Sequence, residues 1–190
     1  MDQEKKIDVV QKTLVLIKPD GVARGLIGDI ISRFEKVGLK MVAMKMVKID
    51  SEMALKHYGQ SEEWFEKISQ KVKEFYSKVG YDAGEDFSNL SNRAIGEMVQ
   101  NWNANYLTEG AVLAMVLKGA HAVEIVRKIV GSTYPHEAAP GTIRGDYSVE
   151  SPFTSNLEQR SVHNLIHASG KPEEAETEIQ LWFKNNEIFE

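Results

Sequence analysis

The sequence predicts an α/β protein of the α+β kind, in which added helices pack on an antiparallel sheet. Four runs predicted as strands end at turn residues, and amphipathic stretches with helical spacing lie between them. When two middle helices are set aside, the order of elements is β-α-β-β-α-β, followed by a final helix. This order is typical of the split β-α-β, or ferredoxin-like, arrangement.

The first third of the chain is predicted to form two strands and two helices. Residues 13–17 are a β-rich apolar run that stops at KPDG, which is a turn signal. The segment LIGDIISRFEKVG, residues 26–38, has apolar residues at helical spacing and ends at a glycine, as helices often do. A long second strand is predicted for residues 39–49 and a short helix for residues 52–59.

The rest of the chain is predicted to hold four amphipathic helices and two strands. A loop, GYDAGEDFSNLSN, separates the first two of these helices, and a long irregular segment, residues 132–156, precedes the last strand. The helices are predicted at 61–80, 93–107, 121–131 and 171–183, and the strands at 111–119 and 161–167.

The predicted elements form one domain. A chain of 190 residues is long enough for a single domain with a proper core, and it contains no linker, internal repeat or low-complexity tract. We therefore expect residues 1–190 to be one domain, with residues 61–100 as a helical insertion within it. The aromatic stripe of this insertion is expected to be core packing.

Composition excludes several classes of function. The chain has no cysteine, which excludes disulfides, thiolate metal sites and cysteine nucleophiles. A net charge of −5 argues against the broad basic surface of a nucleic-acid-binding protein, so no specific nucleic acid is expected as a partner. No apolar run approaches the ~18 residues of a membrane span, and the charged N-terminus does not resemble a secretory signal. We expect a cytoplasmic protein without membrane association.

Three cations are candidates for binding phosphates. The sequence has neither a Walker A loop nor a GxGxxG after a strand, so phosphates would have to be bound by side chains. Lys18 follows the first strand, where it could face a site or a solvated turn. Arg144, in GTIRGD, could fork onto a phosphate or pair with Asp146 or Glu137. Arg127 could extend along the core or project its charge into a pocket.

Two histidines lie four residues apart near the end of the chain. If residues 161–167 form a strand, His163 and His167 share one of its faces. His167 is the stronger candidate for chemistry because small residues and a helix start follow it, which leaves room for an anion. On that helix, Glu178 borders the apolar face and needs a partner. A carboxylate bound to one imidazole nitrogen fixes the tautomer and leaves the other nitrogen free to attack.

Taken together, these motifs resemble one family. TLVLIKPDGVARGLIGDIISRFEKVG, GTIRGDY and NLIHAS, in this order and spacing, are similar to segments of the nucleoside diphosphate kinases. The resemblance covers most of residues 12–60 and 107–184. It implies a ferredoxin-like fold and a ping-pong transfer of the γ-phosphate from nucleoside triphosphates to nucleoside diphosphates. It further implies Mg²⁺ bound mainly through the nucleotide phosphates, no dedicated protein metal site, and a homo-oligomer, with a hexamer favoured.

The resemblance also implies a role for individual residues. His167 matches the family's nucleophile, and Glu178 matches the carboxylate that orients its ring. Ser169 matches the serine two residues after the nucleophile, whereas His163 is expected to be a structural neighbour. The positions that match nucleotide-binding residues, with contacts to phosphate and ribose, are Lys18, Tyr58, Arg127, Thr133, Arg144 and Asn164.

The chain departs from the family pattern in two places. The family commonly has His-Gly-Ser-Asp at the nucleophile, whereas this chain has His-Ala-Ser-Gly, so we assign no metal ligand to Gly170. The helical insertion lies where the residue that stacks on the base is usually found, and Trp102, Val99 and Trp64 are the candidates here, in that order. The insertion could cover the cleft as a lid or contact a neighbouring subunit. A catalytically silent protein with the same fold is the alternative reading of the whole chain.

Overall fold

A computed structural model describes residues 9–59, 61–79 and 90–189 of the chain. Most of the loop predicted between the insertion helices lies outside these residues. The strands are β1 (Val10–Ile17), β2 (Lys40–Val47), β3 (Val112–Ala120) and β4 (Ile166–Ala168). The helices are α1 (Pro19–Ala23), α2 (Ile27–Lys36), α3 (Ser51–His57), α4 (Glu62–Val79), α5 (Asn92–Thr108), α6 (Ala122–Val130), α7 (Ile143–Tyr147), α8 (Pro152–Leu157) and α9 (Pro172–Trp182), and short 3₁₀ turns cover Pro135–Glu137 and Asn185–Glu187.

The four strands form one antiparallel sheet in the order β2-β3-β1-β4. In the central pair, Thr13 of β1 is opposite Leu117 of β3, and on the other side Leu16 pairs with His167 of β4. This sheet and its helices confirm the predicted α+β, ferredoxin-like fold. No helix in the described part of the chain has both the length and the apolar character that a membrane span requires.

Each face of the sheet is buried in its own hydrophobic core, because side chains alternate along a strand. Val15 and Ile17 of β1 belong to the core that includes Phe34 of α2 and Val126 of α6. The intervening Leu14 and Leu16 belong to the opposite core, which includes residues of α3, α5 and α9 (Ala54, Ala104, Leu107, Ile179 and Trp182). Residues at the end of β1 can therefore be reached from helices on both sides of the sheet.

The last strand is much shorter than predicted. Only Ile166–Ala168 is extended and paired, because Leu165 has a φ of 69°, in the left-handed region that a strand cannot contain. The Leu165 N–H donates to the Asp20 carboxylate at 3.2 Å instead of to a neighbouring strand. His163 therefore lies outside β4, and the prediction that it shares a strand face with His167 is wrong.

The segment predicted as irregular, residues 132–156, contains α7, most of α8 and a 3₁₀ turn. Both helices begin at a hydroxyl cap: Thr142 accepts from the Gly145 N–H at 3.2 Å, and Ser151 accepts from the Thr154 N–H at 3.3 Å. These caps satisfy backbone donors at a helix start and make such short helices stable in a folded context. KPDG, predicted as a turn, likewise begins the short helix α1, with Pro19 at its first position.

The two insertion helices, α4 and α5, pack closely against each other. Phe65 of α4 is buried and lies over Gly96 of α5, and Arg93 of α5 bonds to the carboxylates of Glu62 and Glu97. Of the predicted aromatic stripe, Phe65 and Tyr76 are buried, whereas Trp64 and Phe75 are partly exposed, so only half of the stripe is core packing. The close approach at residue 96 requires a residue without a side chain.

Replacing Gly96 by alanine is expected to lower the free energy of unfolding by about 1–3 kcal/mol. A methyl group there would lie 2.8 Å from the Phe65 Cα atom, and a backbone atom cannot rotate away. Gly28→Ala in α2 is the matched control, because its added methyl group would meet no atom within 4 Å. Thermal denaturation of both variants checks the prediction. Equal midpoints for Gly96→Ala and the wild type would contradict this packing.

Candidate active site

One cleft gathers most of the side chains that the sequence singled out. It is bounded by the end of β1, by β4 with the loop before it, and by the two insertion helices. Seven of the nine predicted site residues line it: Lys18, Tyr58, Arg127, Thr133, Arg144, Asn164 and His167. The other two, Ser169 and Glu178, lie behind His167 and contact it or each other.

His167 is held in place by a chain of hydrogen bonds that starts in β1. Its Nε2 lies 2.9 and 3.0 Å from the two carboxylate oxygens of Glu178. The Ser169 hydroxyl donates to the same carboxylate at 2.6 Å, and Ser169 Oγ in turn accepts from the Leu14 N–H at 3.2 Å. Because a carboxylate only accepts, Nε2 carries the proton and Nδ1 keeps its lone pair. The structure thus brings together Glu178 and His167, the pair for which helical spacing predicted a contact.

The surroundings keep the His167 ring neutral. Burial, together with the nearby positive charge of Lys18, lowers the pKa of His167 to about 3. Burial raises the pKa of the Glu178 carboxyl, although the nearby His57 and the hydrogen bond from Ser169 act in the opposite direction. The ring therefore has a lone pair available for attack throughout the neutral pH range.

Lys18 is a buried cation at the floor of the cleft. Its ammonium donates to Asn164 Oδ1 at 2.8 Å and lies 4.7 Å from the centroid of the Tyr106 ring. Burial and the neighbouring charge of Arg144 lower the pKa of Lys18 to about 7. A lysine in such a place gains a full charge most readily when an anion enters beside it.

Arg144 is buried and binds backbone carbonyls. Its guanidinium N–H groups donate to the carbonyls of Asn164, Gly131, Ser132 and Ile166 at 3.1, 3.2, 3.0 and 2.6 Å. The alternative pairing of Arg144 with Asp146 or Glu137 is wrong, because Asp146 bonds to Arg33 at 2.6 Å and Glu137 lies beside His136. Arg144 thus joins the strand that carries His167 to the loop after α6.

The other predicted contacts are arranged around these two cations. Arg127 is exposed at the mouth of the cleft, and its Nη1 donates to the Ala168 carbonyl at 3.4 Å. Asn164 bridges the floor of the cleft, since its side-chain oxygen accepts from Lys18 and its side-chain nitrogen donates to the Thr133 carbonyl at 2.9 Å. The Tyr58 hydroxyl is buried and has no hydrogen-bond partner among the described residues, and burial raises its pKa. A buried hydroxyl without a partner on the wall of a cleft is a donor in place for a ligand.

Two residues that sequence reasoning missed hold the loop before β4. The Tyr106 hydroxyl donates to the Asp20 carboxylate at 2.5 Å and accepts from the Asn164 N–H at 3.2 Å. The Tyr106 ring stacks on His163, with centroids 4.5 Å apart, which gives His163 a structural role. Asp20 could have been suspected because it lies in the same KPDG motif as Lys18, whereas nothing in the sequence points to Tyr106.

The insertion helices supply the outer wall of the cleft. The residues concerned are Ile68, Lys71, Val72 and Phe75 of α4, and Val99, Trp102 and Asn103 of α5. Of the three candidates for stacking on a base, Trp102 and Val99 line the cleft, whereas Trp64 does not. A nucleotide in this cleft would therefore touch the insertion directly.

The cleft offers few ligands for a hard metal ion. Glu174 is the single carboxylate among the described residues on its wall, and it accepts from the Gly170 N–H at 2.7 Å. Donor atoms of His57, His167 and Glu178 lie within 4.8 Å of one another, but two imidazoles do not suit Mg²⁺. A cleft with one carboxylate on its described wall fits a Mg²⁺ ion that brings most of its ligands, phosphate and water, with it.

Comparison with known proteins decides the family. The family model described as nucleoside diphosphate kinase matches residues 11–81 and 83–188. The chain belongs to the nucleoside diphosphate kinase family. Among its relatives, the nucleoside diphosphate kinase of Pyrobaculum aerophilum is 50% identical over 181 residues, which cover 95% of this chain and 99% of that protein. The kinase of Pyrococcus furiosus is 44% identical over 95% of this chain and 88% of its own length.

Solved structures of the family agree with the fold. A crystal structure of an NDP kinase from Pyrobaculum aerophilum matches with a TM-score of 0.90 and 49% identity, over 95% of this chain and all of that one. A transition-state mimic of nucleoside-diphosphate kinase from Borrelia burgdorferi, with bound vanadate and ADP, matches with a TM-score of 0.74 and 41% identity, over 96% and 92% of the two chains. Residues 61–100 are about a fifth of this chain, so matches of this extent mean that these relatives have a counterpart of the insertion.

Proposed function

We propose that this protein transfers the γ-phosphate of a nucleoside triphosphate to a nucleoside diphosphate through a phosphohistidine on His167. The observation that carries the proposal is the bond between Glu178 and His167 Nε2 beside a cleft lined by cations. The family assignment and the relative that binds vanadate and ADP support it.

The first half-reaction is an attack by His167 Nδ1 on the γ-phosphorus. A bond forms between nitrogen and phosphorus while the bond from phosphorus to the bridging β-phosphate oxygen breaks, and the nucleoside diphosphate leaves. The positive charge that develops on the ring is stabilised by the Glu178 carboxylate, which Ser169 holds in place. A second nucleoside diphosphate then reverses these steps with its own terminal oxygen and regenerates neutral His167.

Positioning and charge neutralisation do most of the remaining work. Lys18, Arg127 and the unpartnered Tyr58 hydroxyl are proposed to bind the phosphates, whereas Arg144 supplies charge and fixes β4. Asn164 and Thr133 are proposed to contact the nucleotide from the loop side. Mg²⁺ would be held mainly by the phosphates, with Glu174 as the carboxylate of the described cleft wall that could bind it, and would supply further neutralisation.

A phosphoenzyme assay tests the proposal. The protein is incubated with γ-labelled ATP and Mg²⁺, and the protein-bound label is followed. We expect an acid-labile, base-stable label that GDP discharges as GTP, since phosphohistidine has these properties. A protein that folds normally but acquires no label would contradict the proposed function.

Trp102 is proposed as the residue that stacks on the base. Trp102→Ala is expected to raise the KM for nucleotides by roughly 5- to 150-fold, because one base–aromatic stack is worth about 1–3 kcal/mol. Trp64→Ala is the matched control, since Trp64 lies on α4, which also borders the cleft, but its side chain does not line the cleft. Steady-state kinetics with ATP and a nucleoside diphosphate check this, and equal KM values for the two variants would contradict it.

The activity should depend on pH through Lys18. Its pKa is lowered to about 7, so in the free enzyme the ammonium loses its charge as the pH rises above that value. Bound phosphates favour the charged form. We therefore expect kcat/KM to fall between pH 7 and 9 while kcat changes much less. Because the pKa of His167 is lowered to about 3, no loss of activity from its protonation is expected down to pH 5. A fall in kcat/KM from pH 7 to 5 would contradict this.

We further propose that the chain is one domain and that the insertion acts as a lid on the cleft. The residues of α4 and α5 that line the cleft support the lid.

We also propose that the protein is a cytoplasmic homo-oligomer, with a hexamer favoured. Met44 and Met46 are 53% and 55% exposed on β2, at the edge of the sheet, which supports burial against another subunit. Light scattering after size-exclusion chromatography tests the assembly, and a monomer would contradict it.

A further inference from the structure

A second histidine lies against the ring of His167 and has no part in the chemistry described above. His57 is the last residue of α3, and its side chain is completely buried. The two imidazole rings meet edge to face, with centroids 4.4 Å apart and an angle of 80° between their planes. His57 does not line the cleft and cannot reach a substrate there.

His57 is itself held by the helix that carries Glu178. The indole N–H of Trp182 donates to His57 Nδ1 at 3.2 Å. Trp182 follows Glu178 by four residues on α9, so the two side chains project from the same face of that helix. One helix thus fixes both histidines, His167 through a carboxylate and His57 through an indole.

The bond from Trp182 determines the form of His57. Because an indole N–H can only donate, Nδ1 is the acceptor and the proton of the neutral ring is on Nε2. The lone pair that a metal ion would need is therefore occupied, which argues against a metal site formed by His57, His167 and Glu178. Burial and the neighbouring His167 keep the pKa of His57 well below its usual range, so it adds no charge beside the reacting ring.

A histidine at position 57 lowers the stability of the fold. Its Nε2 is buried without a hydrogen-bond partner among the described residues, and such a group typically destabilises a fold. A phenylalanine would fill a similar volume without a polar atom. What phenylalanine could not provide is an acceptor for Trp182, which locks the ring that packs on His167.

From these contacts we infer that His57 is a positioning residue that holds the plane of the His167 ring, so that Nδ1 faces the cleft while Nε2 stays on Glu178. The Glu178 carboxylate fixes one nitrogen of His167 but allows the ring to tilt about that contact. A second, rigid surface at right angles removes this freedom. The inference rests on the proposed function of His167 as the nucleophile.

The test compares His57→Phe, Trp182→Phe and the double variant in a single-turnover experiment. The rate constant for labelling of His167 by γ-labelled ATP is measured as a function of ATP concentration. We expect each single variant to slow this step by about 10- to 100-fold, since small misplacements of a reacting group have effects of this size. The dissociation constant for ATP should change by less than about threefold, because the residues that bind ATP before the reaction are unchanged. The double variant should be no slower than the slower single variant, because both changes break one contact.

Phe34→Leu is the control for general loss of packing, since Phe34 is fully buried in the core on the other side of the sheet. It should lower the melting temperature and leave the labelling rate unchanged. Nitrogen NMR of the imidazoles gives an independent readout: we expect one tautomer of His57 in the wild type and a mixture in Trp182→Phe, whereas His167 keeps in both proteins the tautomer that Glu178 fixes. Wild-type labelling rates in both single variants would overturn the inference, as would slowing by Phe34→Leu to the same extent. A wild type that is never labelled would instead overturn the proposed function.

Discussion

His167→Ala is expected to abolish phosphoenzyme formation and to reduce turnover by at least about a thousandfold, as removal of a nucleophile does in other enzymes. Neither half-reaction can proceed without Nδ1, since His167 is the single imidazole among the described residues that line the cleft. The phosphate-binding cations would remain, so the variant should still bind nucleotides. Isotope labelling and coupled steady-state assays measure the two effects, and calorimetry measures nucleotide binding.

Two other histidines provide the controls for that experiment. His136→Ala changes an exposed side chain and should leave labelling unchanged. His163→Ala removes the ring that stacks on Tyr106 and tests the other histidine of the HNLIH segment. A label that persists in His167→Ala but disappears in His163→Ala would show that the nucleophile has been assigned to the wrong residue.

The pair of His167 and Glu178 was predictable because it depends on local patterns. Helical spacing placed Glu178 at the border of an apolar face, and a carboxylate at that border needs a partner. The order of strands and helices followed from periodicity in the same way. Lys18 was singled out by its place in the KPDG turn at the end of the first strand, whereas Ser169 was identified only through the resemblance of its motif to the family.

What the sequence did not show depends on contacts between distant segments. The left-handed φ of Leu165 is stabilised by Asp20, which is far away in the chain, so alternation alone suggested a strand. The role of Tyr106 has the same origin. Nothing in the sequence indicates a role for His57, because its bond to Trp182 joins two helices that lie on either side of the insertion along the chain. Such tertiary contacts override what local propensity indicates.

Arg144 shows the same limit and leads to the second prediction of large effect. Both alternatives for this residue assumed an anionic partner, but its buried guanidinium binds four backbone carbonyls instead. Burial and the charge of Arg127 lower the pKa of Arg144 to about 10, so it stays charged at neutral pH. A charge in this position is compensated by carbonyl dipoles and is available to phosphates in the cleft.

Arg144→Met is expected to lower the free energy of unfolding by about 3 kcal/mol or more, since it leaves several buried carbonyls without donors. For a chain of this size, the melting temperature should fall by roughly 6–12 °C. Activity should fall even in the folded fraction, because the carbonyls of Asn164 and Ile166, on either side of the turn into β4, lose their support. Denaturation curves and kcat/KM measured well below the new midpoint separate the two effects.

Arg144→Lys separates the effect of the forked guanidinium from the effect of its charge. A lysine keeps the positive charge, but its three N–H donors are all on one nitrogen and cannot span four carbonyls in different segments. We therefore expect Arg144→Lys to be nearly as unstable as Arg144→Met. Arg33→Lys, at a part-exposed pair with Asp146, is the control and should cost at most about 1 kcal/mol. If Arg144→Lys restored both stability and activity, the charge alone would be sufficient, and the carbonyl contacts would be a consequence of the fold instead of a support for His167.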